Sequence, residues 1–311
     1  MISVVVPLYN DEKNIRRCLK SLENELLSGD EVAVVDNGST DSSSDIVKEF
    51  ERVKLLGLKS GNIGAVRNYG AKHTSRDILA FIDSDCVVLP GWRSALLSRL
   101  HENDSIAATG AKYRVPEKSP WFVTLWFSQR RENGDVPYIN SGNFIVKRSI
   151  FENIGGFDEA IVTGEDAEIC LRLKQAGYRV IEDSQIAVTH YGNPENIAAF
   201  YRQQRWHGLG MFGTFRVSKF DKPLIMTIVF GVTLFCAIFF LFSQGLSTVS
   251  ILLTLSLLNV VPMAASLYRC YNMRSWEKLP GLYFLYSVYF MARLHSLFLL
   301  IGKRVWNKNT A

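Results

Sequence analysis

Ile78-Leu79-Ala80-Phe81-Ile82-Asp83-Ser84-Asp85 is the stretch on which the reading of this chain turns. An apolar run this short and unbroken predicts a strand buried on both faces of a parallel sheet. Two carboxylates one residue apart then stand where the strand ends. Such a pair repels, and a hard divalent cation relieves the repulsion through oxygen ligation. The competing reading of Asp-x-Asp is an ordinary turn or capping pair.

Working outward, strand and helix signals alternate. Ile2–Pro7 reads as a buried strand. Ile15, Cys18, Leu19 and Leu22 follow at helical spacing behind Asp11, a candidate N-cap. Val32–Val35 ends at Asp36 and the turn Asn37-Gly38-Ser39-Thr40-Asp41, and Val53–Leu56 is a third strand. Ser60-Gly61-Asn62-Ile63-Gly64 then opens a helix carrying Arg67. Four alternations predict a doubly wound, mostly parallel sheet with its ligand crevice beyond the carboxyl ends of the strands. Pro7, Tyr9, Asp36, Arg67 and the Asp83–Asp85 pair converge there. A ring, a cation and a set of carboxylates suit a nucleotide diphosphate.

Past Asp85 the signals are sparser. Ser119–Arg131 is aromatic-rich and reads either as a core-covering helix or as a segment over the site. Glu165 and Asp166 open a helix; acids there complement the helix dipole, or one of them serves as a general base. His190 ends a strand-like run and is either structural or a nitrogen ligand for a metal on Asp85.

The 311 residues split in character. Up to about residue 223 the chain reads as a soluble α/β domain, and the remainder is dominated by apolar runs. Residues 224–242 and 246–268 are long enough to span a bilayer. Residues 282–301 carry Arg293 and His295, and read as a third span or an interfacial helix, with the interfacial form favoured. A net charge of +5 gives no suggestion of nucleic acid. The basic residues cluster instead: Arg202, Arg205, Arg216, Lys219 and Lys222 precede the first run, opposed by Asp221. Such clusters mark a cytoplasmic flank facing anionic lipid. Five scattered cysteines predict reduced thiols. Met1 leads straight into a strand with no basic leader, so the expectation is a cytoplasmic N-terminal domain on a multi-pass membrane protein.

Together these segments resemble the family 2 glycosyltransferases of GT-A fold. The likeness rests on Val4-Val5-Val6-Pro7-Leu8-Tyr9-Asn10, Val34-Val35-Asp36-Asn37-Gly38-Ser39-Thr40-Asp41 and Asn62-Ile63-Gly64-Ala65-Val66-Arg67-Asn68. It continues through Asp83-Ser84-Asp85, Ser141-Gly142-Asn143, Gly155-Gly156-Phe157-Asp158-Glu159 and Gly164-Glu165-Asp166, and covers Met1 to about Gly210. The resemblance implies a GT-A catalytic domain over residues 1–200, a basic and aromatic juxtamembrane segment over 201–223, and a membrane region over 224–311. It implies inverting transfer of one sugar from a nucleotide-diphospho-sugar, with uridine favoured and Mn²⁺ or Mg²⁺ as cofactor. Pro7, Tyr9, Asp36, Arg67 and Asp83 would hold the nucleotide. Asp85, with Asp83 and His190, would hold the metal. Asp166 would be the base, with Glu165 beside it. Gly142, Asn143, Arg202, Arg205 and Trp206 would lie toward the donor sugar and acceptor. The acceptor would be a lipid-linked molecule or glycan of cell-envelope polysaccharide synthesis, met beside membrane lipids.

Two positions depart from the family pattern. Asn37 replaces the second acid of the usual turn, and Arg202 replaces the first Gln of the Gln-x-x-Arg-Trp found in processive synthases. With at most three spans, the expectation is single addition and not polymerisation. Two alternatives stay open: a polyprenyl-phosphate glycosyltransferase, and a non-catalytic nucleotide-sugar-binding scaffold of a polysaccharide synthase. An anchored structural protein with acidic caps is a further rival.

Overall fold

A computed structural model describes residues 1–127, 133–210, 222–245 and 247–309. Arg216, Lys219, Asp221, residues 128–131 and Leu246 lie outside them. The chain divides into two compact units, Met1–Ser119 with Arg131–Asn193, and Pro120–Arg130 with Pro194–Ala311.

The first unit is built on an eight-stranded sheet ordered β3-β2-β1-β4-β8-β6-β9-β7. Its strands are β1 (Ile2–Leu8), β2 (Glu31–Asp36), β3 (Val53–Gly57), β4 (Ile78–Ile82), β6 (Ile106–Gly110), β7 (Gly134–Asp135), β8 (Asn143–Lys147) and β9 (Arg179–Glu182). β3, β2, β1 and β4 run parallel. Every residue of β1 and β4 is buried, as a central strand covered on both faces requires. β8 then enters antiparallel between β4 and β6, so the sheet is mostly and not wholly parallel. That reversal places Asn143 opposite Ile82, and so sets the 141–143 turn beside the Asp83–Asp85 turn.

A separate two-stranded ribbon pairs β5 (Cys86–Val88) with β10 (Val188–His190). Of the helices, α1 (Ile15–Glu25) and α4 (Trp92–Glu102) cover one face of the sheet, with Cys18, Leu19, Leu22, Trp92 and Leu96 in one core cluster. α3 (Ile63–Lys72) and α7 (Glu165–Gln175) contribute Val66, Ala71, Ile169 and Leu173 to a second cluster. The short α2 (Ser43–Lys48) and α6 (Arg148–Asn153) complete the connections. Asp11 is not the cap of α1: the helix starts after Asn14, because residues 11–14 close a turn in which the Asp11 carbonyl accepts from Asn14 and Ile15. All five cysteines are free.

The second unit contains α5 (Trp121–Phe127), α8 (Ile197–Gly208), α9 (Lys222–Gln244), α10 (Thr248–Met273) and α11 (Leu279–Asn309). Three stretches are long and apolar enough to cross a membrane: Lys222–Ser243, Thr248–Met273 and Trp276–Ile301. The third therefore meets the same criterion as the first two despite Arg293. Aromatic packing unites the unit, with Trp126 against Phe200, Tyr286 and Tyr289. Phe122 also meets Phe200. Within the 119–131 stretch, the described aromatic residues thus pack on α8 and α11, as a covering helix does.

Candidate active site

The carboxyl ends of β1, β2 and β4 carry the expected residues, and the turn after β4 distributes three side chains to three partners. Asp83 Oδ1 accepts from Arg67 Nη2 at 2.6 Å. Ser84 Oγ donates to Asp11 Oδ2 at 2.7 Å. Asp85 Oδ1 lies 3.4 Å from His190 Nε2, an ion pair only when the ring is protonated. The backbone NH of Tyr191 donates to the Asp85 carbonyl, which fastens the end of the ribbon to this turn.

Arg67 organises the other side. Only 2% exposed, it bridges Asp83 and Glu165, whose Oε1 accepts from Nη1 at 2.8 Å. Burial opposes its charge, yet the two carboxylates hold its pKa above the ordinary arginine value. Ser141 Oγ donates to the same Glu165 oxygen at 2.9 Å. Glu165 thus faces inward and is fully engaged. Asp166, next to it, is half-buried, and its Oδ1 accepts from the NH of Ala167. Burial, together with the negative charge of Glu165, lifts the Asp166 carboxyl to about 7. A carboxyl poised near neutrality fits a general base.

At the ribbon, burial lifts Asp85 to about 6, with His190 opposing the shift and Asp83 adding to it. Asp85 Oδ1 and His190 Nδ1 are buried polar atoms with no hydrogen-bond partner. The orphaned Asp85 oxygen calls for an explanation, and a cation between it and His190 Nε2 supplies one. Ligand atoms of Asp85, Cys86 and His190 lie within 4.8 Å of one another. A carboxylate oxygen and an imidazole nitrogen suit Mn²⁺. Gly192 passes so close that a Cβ there would overlap Asp85 Oδ2. The residues therefore fit a divalent ion. Of the three expected ligands, Asp85 and His190 stand together while Asp83 is turned to Arg67, and Cys86 joins the cluster unforeseen.

The remaining expected residues divide. Pro7 is buried in β1 and Tyr9 is 62% exposed at the crevice rim. Asp36 accepts from the NH of Ser39 at 2.9 Å and from Ser44 Oγ at 2.5 Å. Burial works against its charge, but these bonds hold its pKa below the usual carboxylate value. Gly142 donates its NH to Tyr113 OH at 3.0 Å and approaches Asp83 too closely for any side chain. Asn143 is buried, with its amide spent on the Ala111 and Ile186 carbonyls and on Trp92 Nε1, so it braces the turn. Arg202, Arg205 and Trp206 belong to α8 of the second unit, with Arg202 and Trp206 exposed.

Sequence reasoning missed Tyr113, Ser141, Asp11 and Asn37. Tyr113 stacks on His190, ring centroids 4.8 Å apart, while its hydroxyl holds the 141–143 turn. Asn37 clamps the loop before α3, donating to the Gly61 carbonyl at 2.9 Å and accepting from its NH at 3.1 Å. An amide does both and a carboxylate only the second, which is a local reason for Asn at this departure from the family pattern. Ser141 stood inside a quoted motif; Tyr113 had no local signal.

Residues 3–155 match glycosyl transferase family 2, and residues 139–299 match glycosyl transferase family 21. The chain is 28% identical over 268 residues to the probable glycosyltransferase YdaM of Bacillus subtilis, covering 78% of this chain and 63% of that relative. In fold it is similar to the mannosyltransferase PcManGT of Pyrobaculum calidifontis in complex with GDP-Man and Mn²⁺. That match has a TM-score of 0.65 at 16% identity and covers 95% of this chain and 86% of that one. It is similar also to S. aureus TarS 1-349 in complex with UDP-GlcNAc, TM-score 0.51 at 20% identity, covering 95% and 90%. The sheet, the crevice and these matches define a glycosyltransferase of GT-A fold. The chain belongs to the family 2 glycosyltransferases, with apolar C-terminal helices over the part that matches family 21.

Proposed function

We propose that this chain is a metal-dependent inverting glycosyltransferase that moves one sugar from a nucleotide-diphospho-sugar to a lipid-linked or glycan acceptor. The observation that carries the reading is the pairing of an orphaned Asp85–His190 site with an Asp166 carboxyl lifted to about 7. A divalent ion held by Asp85 and His190 would neutralise charge developing on the diphosphate leaving group.

The protein's own residues do the rest. Arg67 holds Asp83 and Glu165 in fixed positions, so the nucleotide side and the base side of the crevice share one rigid brace. Pro7, Tyr9, Asp36 and Asp83 border the nucleotide. Asp166 takes the proton of the acceptor hydroxyl as its oxygen attacks the anomeric carbon. The bond to the diphosphate breaks, and attack from the opposite side inverts that centre. Glu165, held by Arg67, adds its negative charge to the burial that raises Asp166. A uridine donor is favoured by the resemblance; the solved neighbours are complexes of both UDP-GlcNAc and GDP-Man.

The three apolar helices support attachment to a membrane, with the basic residues on the cytoplasmic side and the acceptor presented there. A polyprenyl phosphate acceptor is the second enzymatic reading, favoured by the exposed, acid-free Arg202 on α8. A scaffold that binds donor without turnover is the rival of another class. The test is binding and transfer across a panel of nucleotide-sugars with Mn²⁺, Mg²⁺ or chelator. Metal-dependent turnover of one donor supports the enzyme; binding without turnover favours the scaffold; no binding to any donor overturns both.

A further inference from the structure

Among the residues whose side chains are described, the second unit has the cations Arg202, Arg205, Lys222, Arg269, Arg274, Lys278 and Arg293 against the carboxylates Glu195 and Glu277. No ion pair joins any of these described residues; the ion pairs found all lie in the first unit. Arg269 still has protein partners: it donates to the Leu125 and Trp126 carbonyls and lies over the Trp126 ring.

Arg293 has no hydrogen-bonding partner of this kind. Its Nε is buried and unpaired, and its guanidinium rests over the Tyr289 ring at 5.0 Å. It stands eight residues before Ile301, the end of the third apolar stretch. A guanidinium beside apolar helices without a protein counter-charge marks a surface that faces an anion or water.

The seam around it is built closely. Gly208 of α8 lies against Ser296 Oγ and Arg293 Cδ, leaving no room for a Cβ. Ser296 Oγ donates to the Arg205 carbonyl at 2.5 Å, and Tyr201 OH meets His295 Nδ1 at 2.9 Å. His207 adjoins Arg293; burial, and then that guanidinium, push its pKa down to about 4. A neutral imidazole donates one N–H without adding charge. One turn earlier, Gln203 Oε1 is a second buried atom without a partner.

We propose that the α8–α11 seam binds the phosphate ester of a membrane lipid, with Arg293 as its anion contact and His207 near it. A guanidinium recognises phosphate oxygens through paired N–H groups, and its counter-charge is absent from the described protein. A bilayer phospholipid and an isoprenoid phosphate share this chemistry. The inference rests on the membrane placement proposed above, which incorporation into nanodiscs reports separately.

The test uses the full chain in phosphatidylcholine nanodiscs carrying either phosphatidylglycerol or farnesyl phosphate, with native mass spectrometry of the retained lipid. Wild type is expected to retain one or both above phosphatidylcholine, and the tighter of the two identifies the source. Arg293→Gln should weaken retention about tenfold, as loss of a charged hydrogen bond does, while Lys72→Gln, on α3 of the first unit, stays within about twofold. Retention by Arg293→Gln equal to wild type overturns the proposal. So does wild type that prefers neither lipid over phosphatidylcholine. If Arg293→Gln fails to fold, Arg293→Lys decides: the charge remains but the paired N–H contact is lost, so weakened retention supports the site and unchanged retention overturns it.

Discussion

The two units settle their charges in opposite ways. In the first, Arg67, Arg93, Arg99 and Arg172 each meet a carboxylate within 3 Å, and the most buried of them, Arg67, meets two. In the second, no cation whose side chain is described has a carboxylate partner. A unit that closes its own charges is rigid and can hold a carboxyl such as Asp166 at an unusual pKa, because little around it can relax. A unit that leaves its charges open is waiting for anions from outside the chain. The first arrangement suits chemistry, and the second suits a surface of phosphate headgroups.

The sharpest way to break this contrast is to remove the base. Asp166→Asn should lower transfer on the order of 1,000-fold while donor affinity stays within about twofold; calorimetric loss of donor binding would contradict the assignment. In wild type the rate should rise as pH climbs through about 7, because the carboxylate is the active form, and then level off.

Arg67→Met comes next. It strands Asp83 and Glu165 in a buried site, so the denaturation midpoint should fall by the equivalent of about 3–5 kcal/mol. Arg293→Met, in detergent without anionic lipid, should leave stability unchanged or raise it. Equal losses in the two variants would erase the contrast between the units.

Asp85→Ala should weaken Mn²⁺-dependent donor binding by about 100-fold, measured by titration with and without chelator. A smaller effect concerns stability. The raised pKa of Asp166 means that the folded state holds its proton more tightly than the unfolded one. Stability is therefore lost as pH rises from near 4 through about 7. Asp166→Asn should then melt about 3–6 °C above wild type at pH 8, and the gap should close toward pH 4. The smallest change is Asn37→Asp, which loses the bond to the Gly61 carbonyl and should cost about 1 kcal/mol.

Much of the fold was legible because its signals are local. The apolar run before Asp83, the strand ends at Pro7 and Asp36, and the helix opened by Glu165 need no distant partner to be read. What escaped was set by pairing across the chain. β8 enters antiparallel beside β4 with 60 residues intervening, and no periodicity announces that direction. That Asp85 and His190 share a site was read from the sequence, but not the β5–β10 ribbon that joins them, whose strands are three residues each and too short to signal pairing. Asp11 looked like a cap until the 11–14 turn placed it under Ser84. Asn143 looked like a ligand contact, and only its three internal partners reveal it as a brace. Arg67 was expected at the nucleotide; its burial between two acids makes it the joint of the site.

The most direct measurement is the affinity of the full chain for UDP, by isothermal titration calorimetry, with Mn²⁺ and then with chelator. The Asp85–His190 assignment requires binding at least about tenfold tighter with the ion, and that gain should vanish in Asp85→Ala. Equal affinity in ion and chelator would contradict the assignment, and with it the account of how the diphosphate is held.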